Sequence, residues 1–264
     1  MLLEQLLNQR IDHPRATLHF PAAWGQGRAT FGGVVCAAAL SQARSCLPAE
    51  DRPLRTFNVS FIAPVEAGDA ELTSACLRSG ATLSYTRSEI RQEGECCALI
   101  DAAFGVERDS ALSVADAPRP AAADVDQVAE LPYIAGVTPV FTQQFAYRFT
   151  DGAFPFTGAD SASFAGWCRF RNASGPATAE AMAMLVDAWP PPLLSMLAAA
   201  APSSSVQWSM QLLATPNAAL DDWWFFAAET RQAGGGYGCC TATLWDPDGV
   251  AVARSVQLVA VFDR

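Results

Sequence analysis

Lysine is absent from this chain: all 17 basic residues among its 264 are arginine. That excludes Schiff-base chemistry on a lysine amine and the lysine of a phosphate-binding loop. Histidine is nearly absent, with only His13 and His19. Two imidazoles near the N-terminus exclude a histidine metal cluster. They permit a Ser-His-Asp triad only if the N-terminal segment folds back onto a nucleophile. Positive charge is short against 27 acidic residues, leaving a net charge of −10, which argues against nucleic acid as a partner. No stretch approaches the roughly 18 apolar residues of a membrane span. The opening MLLEQLLNQR carries Glu4 and lacks a basic region followed by a long apolar run, so it is not expected to be a signal peptide.

What is present is a large apolar fraction. Hydrophobic residues make up 51% and charged ones 17%, enough for a sizeable core and too much for a disordered chain. The length suits one large domain or two of about 130 residues. Of eight cysteines, Cys96-Cys97 and Cys239-Cys240 are adjacent, and none has the two-residue gap of a zinc site. Neighbours on a strand point to opposite faces, so neither pair forms a two-thiol clamp. Buried free thiols in a reducing cytoplasm are the expectation, with no metal.

The hydrophobic pattern repeats along the chain. A short helix is expected over Leu2–Gln9, then an extended ATLHF and a glycine-punctuated loop, Trp24 to Gly27. Phe31-Gly32-Gly33 opens a helix to about Arg44 that is apolar on nearly all sides and so buried all round. Strand-like runs follow at 54–63, 70–78, 84–91 and 96–106, separated by turn residues. From 109 to about 139 the period is lost, which reads as a linker. Further strands are expected at 142–150 and 164–171. A second apolar helix covers about 178–188 and is stopped by Pro190 to Pro192. Strands at 205–213, 223–231 and 237–245 come next. A type I′-like turn at Asp246 to Gly249 leads to a last strand at 250–262.

FNVSFIAPV can be laid on VQWSMQLLA, which sets Thr56 on Ser205. The match of EIRQEGECC to ETRQAGGGYGCC would shift the second half by one strand and is a decoy. The class is α+β: two antiparallel sheets, each curled round one central helix. They are expected to join edge to edge, because an uncovered edge strand is a liability. The halves are expected over 1–118 and 140–264, with 119–139 between them.

Three polar residues stand out. Asp187 is the only charge in the last two turns of the second helix, on one face with Glu180. A carboxylate there faces the negative end of the helix dipole, and burial would raise its pKa toward that of a general base. Its plainer reading is an acid at the surface. Gln257 lies in VARSVQLVAVF with Ala253, Ser255, Val259 and Val261 on its strand face. A buried amide needs partners, which neighbouring backbone or a site water could supply. Ser205 shares a face by alternation with Gln207, Ser209 and Gln211, as a solvent-facing serine would. The backbone N–H groups of Gly33 and Val34, at a helix start, are candidates to hold an oxyanion; close packing at a tight turn explains the glycines equally well. Trp223 to Phe226 form a run that suits the core, an interface or the wall of an acyl tunnel.

Three segments, RATFGGVVCAAAL, FNVSFIAPVEAGDAEL and WDPDGVAVARSVQ, resemble the acyl-CoA thioesterase II family, and the likeness extends over about 20–108 and 140–264. The resemblance implies a double hotdog fold and hydrolysis of acyl-CoA by direct water attack. In that family an Asp, a Thr and a Gln position the water; these fall on Asp187, Ser205 and Gln257. Gln207 and Trp208 stand where an acid and a histidine commonly follow the hydroxyl, and Gln211 to Leu213 replace an aromatic-His-Arg stretch. The expectation is therefore a cytoplasmic thioester hydrolase, homo-oligomeric, with acyl-CoA as substrate and no cofactor. A non-catalytic acyl-CoA-binding protein and a hotdog dehydratase or hydratase remain as alternatives.

Overall fold

The computed structural model describes residues 15–48, 52–114 and 117–263. The expected helix over Leu2–Gln9, and His13, lie outside the described residues. The first half runs β1 (Arg15–Phe20), a small hairpin of β2 (Gly25–Gln26) and β3 (Ala29–Thr30), α1 (Gly32–Ser45), β4 (Leu54–Phe61), β5 (Gly68–Ser79), β6 (Leu83–Gln92) and β7 (Glu95–Gly105). The second runs β8 (Phe145–Gly152), β9 (Ser163–Phe170), α2 (Ala179–Asp187), β10 (Ser203–Leu212), β11 (Trp224–Gly234), β12 (Tyr237–Trp245) and β13 (Ala251–Val261).

Among the described residues, every long strand joins one antiparallel sheet of eleven, ordered β1-β5-β6-β7-β4-β10-β13-β12-β11-β9-β8. The seam is β4 against β10. Strand order is mirrored about it, so the β6–β7 hairpin occupies the place of β12–β13, and the EIRQEGECC match is indeed a decoy. The offset that sets Thr56 on Ser205 also sets Val59 on Trp208, and these two pair directly across the seam, as a pseudo-two-fold axis requires. Phe57 packs edge-on to Trp208 there, with ring centroids 4.9 Å apart.

Helix α1 is buried from Gly33 to Leu40 and again at Gln42 and Ala43. Its small residues let it pack both on β5, β6 and β7 and against α2. At Gly33 the helices touch: a Cβ would lie 3.0 Å from the Met184 Cα. Arg44 and Glu180 tie their other ends with a 3.0 Å ion pair. Helix α2 starts where the Thr178 hydroxyl accepts from the Ala181 N–H.

Two local expectations are corrected. The run expected as strand from Thr142 begins as a 3-10 turn over Val140–Gln144, because the Thr142 N–H and hydroxyl both donate to the Pro139 carbonyl. The turn after β12 is not type I′. Proline cannot take the positive φ that type I′ needs at its first central position. Instead the Gly249 N–H closes on the Asp246 carbonyl, and Gly249 alone turns left-handed at φ 83°. The segment between the halves lies against the sheet: Trp167 and Trp245 donate to the carbonyls of Ala123 and Ala117, and Arg119 lies over the Trp167 and Phe225 rings.

Candidate active site

Asp187, Ser205 and Gln257 come together from three elements. Asp187 is the last residue of α2, cut short by the prolines that follow. Gln257 is central in β13, and Ser205 lies near the start of β10. The Gln257 amide nitrogen lies 2.7 Å from Ser205 Oγ and 3.3 Å from Asp187 Oδ1, so one amide bridges the other two.

Strict alternation would keep Ser205 away from this cluster. A β-bulge between Ser205 and Gln207 inserts Val206, so that Ser205 opposes Val259 while Gln207 opposes Leu258. The extra residue reverses the parity of the strand. Ser205 then shares the inner face with buried Trp208 and Met210 rather than with Gln207, Ser209 and Gln211, the expected companions.

Asp187 retains some surface exposure as a residue, but its carboxyl is enclosed by protein. Burial pushes its pKa up to about 7, against the pull of hydrogen bonds from the Gly33 N–H and Gln257. The other carboxylate oxygen faces Gly32, where a Cβ would lie 2.9 Å away. The charge also reaches Cys36, whose thiol is pushed well up, first by burial and then by Asp187. A thiol so held is no nucleophile near neutral pH.

The two amides expected at an oxyanion are already engaged. Gly33 donates to Asp187, and Val34 donates to the Phe31 carbonyl at 3.2 Å, closing the first turn of α1. His19 lies on edge strand β1, six strands from β13, and bonds Asp69. It offers this cluster no imidazole.

A cavity of about 20 Å³ opens beside Asp187 and Gln257 and is lined also by Ser255, Trp208, Cys240 and Trp189. That is room for about one water. Trp208 donates to Ser255 Oγ at 3.1 Å, which fixes both. The aromatic run is divided by alternation: Trp224 and Phe226 face the core and Phe226 reaches the cavity, while Trp223 packs with Arg148 and Arg169. Trp189, Trp208 and Ser255 were not singled out in the sequence as cavity residues. Trp189 had no signal beyond its place after Asp187.

Among the described residues no helix is long and apolar enough to cross a membrane, and no group of His, Cys, Asp and Glu could hold a metal ion. The chain is similar to several solved structures. One is a hot dog fold protein of unknown function from Alicyclobacillus acidocaldarius (TM-score 0.89, 21% identity, 99% of this chain and 98% of that one). Another is a TesB protein of Mycobacterium avium subsp. paratuberculosis (0.81, 18%, 98% of each). A third is the acyl-CoA thioesterase II TesB2 of Mycobacterium marinum (0.78, 18%, 100% and 99%). At these identities the likeness shows the hot dog fold alone. No curated protein matches the sequence. The family models for the acyl-CoA thioesterase N-terminal and C-terminal domains match residues 20–105 and 116–261. The chain belongs to the acyl-CoA thioesterase II family and is a thioester hydrolase.

Proposed function

We propose that the protein hydrolyses acyl-CoA to the free acid and CoA by direct attack of water, in the cytoplasm, as a homo-oligomer and without a cofactor. In this reading each half, 1–118 and 140–264, is a sheet wrapped round its helix, and the second half carries the chemistry. Asp187 is the general base. With a pKa of about 7 it is substantially ionised at neutral pH yet basic enough to accept a proton from water. Gln257 holds the carboxylate and the water in register, and Ser205 fixes the amide. Water loses a proton to Asp187 as its oxygen bonds the thioester carbon. The tetrahedral intermediate then expels the CoA thiolate, which takes the proton back. The oxyanion falls to the N-terminal end of α1, at the Gly32 N–H and the positive end of the helix dipole, rather than to Gly33 or Val34.

The observation that carries this reading is the bridge from Ser205 through Gln257 to the enclosed carboxylate of Asp187. The test is release of free thiol from a panel of acyl-CoAs. Thiol and free acid released in equal amounts support it. A rise in melting temperature with acyl-CoA but no thiol at any chain length would favour the binding protein instead. Hydration of an enoyl-CoA would favour the hydratase.

A further inference from the structure

Resting on that thioesterase reading, the geometry points to a short acyl group, acetyl to butyryl, with its length limited by Trp189 backed by Phe226. On the sheet, the cavity residues step from Gln257 on β13 to Cys240 and Ala242 on β12, then to Ala228 and Phe226 on β11. Small side chains floor the middle of this trough and aromatic rings end it. A thioester carbonyl placed beside Asp187 and Gln257 sends its acyl chain along that floor. The chain meets Trp189, which stacks on Phe226 at 5.8 Å between centroids and an interplanar angle of 7°.

The wall is fixed rather than hinged. Trp189 also packs on Phe164 at 5.4 Å and edge-on to Tyr147 at 5.1 Å. The Tyr147 hydroxyl donates to the Ala188 carbonyl at 3.0 Å, holding the backbone just before the indole. Behind the ring, Gly166 of β9 leaves the room it needs: a Cβ there would lie 2.5 Å from the indole Cη2. Three prolines follow Trp189 and restrict the chain further.

The consequence is measurable. An open apolar slot gains about 0.8 kcal/mol per buried methylene, about fourfold in kcal-equivalent rate, so kcat/KM would climb with chain length. Here kcat/KM is expected to peak between acetyl-CoA and butyryl-CoA and to be at least about tenfold lower for octanoyl-CoA. Trp189→Leu and the milder Phe226→Leu should raise the octanoyl-to-butyryl ratio about tenfold or more. Ala228→Leu, which fills the trough from the other side, should lower butyryl relative to acetyl. A wild-type profile that rises through octanoyl-CoA overturns the proposal whether or not the variants fold. So do folded variants that leave the ratios unchanged. Absence of hydrolysis at every length is a different failure: it overturns the thioesterase reading and this inference with it.

Discussion

Gly32 and Asp187 are packed so closely that a Cβ on the glycine would lie 2.9 Å from the carboxylate Oδ2 and 3.1 Å from the Phe61 ring. Gly32→Ala should therefore push the carboxyl off its bonds to Gln257 and Gly33. A helix gains from alanine over glycine by up to about 1 kcal/mol, which offsets part of the overpacking cost of about 1–3 kcal/mol. The expected outcome is a fall in kcat of about tenfold or more with only a modest drop in melting temperature. Full activity in Gly32→Ala would show that the carboxylate does not depend on this fit.

The raised pKa of Asp187 predicts two pH effects. Thiol release should climb with pH on a limb with its midpoint near 7, and Asp187→Asn should lack that limb. Stability moves the other way. The folded state holds this proton more tightly than the unfolded state, whose carboxyl titrates near 4. Stability from this group is thus fully present below pH about 4, falls as pH rises toward about 7, and stays low above that, by a few kcal/mol in order of magnitude. Urea unfolding at pH 5 and pH 8 should show wild type losing more stability than Asp187→Asn over that interval. Parallel changes would contradict the shift.

Ser205 and Gln257 should behave as one unit. Ser205→Ala, Gln257→Ala and the double variant are expected to lose similar factors in kcat, because each breaks the same bridge. Ser205→Thr keeps the hydroxyl and should retain most of the activity. Strictly additive losses would separate the two residues.

The Arg44–Glu180 pair joins the two helices, with side chains 28% and 8% exposed. Glu180→Ala should cost about 1–3 kcal/mol of stability, discounted from a fully buried pair because the arginine meets solvent. Specific activity of the folded fraction should be unaffected. A double-mutant cycle with Arg44→Met that gives no coupling would show the pair to be incidental.

Much of the sheet could be read from alternation, and both described helices from their apolar runs, because burial acts on every residue of those elements. The FNVSFIAPV and VQWSMQLLA repeat shows which strands correspond, but that these two strands meet at the seam is visible only in the sheet order. Asp187 and Gln257 stood out as polar residues in apolar surroundings. The inward face of Ser205 did not, because it depends on the bulge at Val206, and nothing in SVQWSMQ marks an extra residue. Nor did Trp189: its position against Phe226 joins elements far apart in sequence. The Gly33 and Val34 amides stand at a helix start, but nothing in the sequence shows that Asp187 and Phe31 engage them.

The most direct measurement is the rate of thiol release from butyryl-CoA by Asp187→Asn beside wild type, at pH 8 and with both proteins shown to be folded. Loss of the base should lower kcat by about 10²-fold or more. Equal rates would contradict Asp187 as the base that activates water.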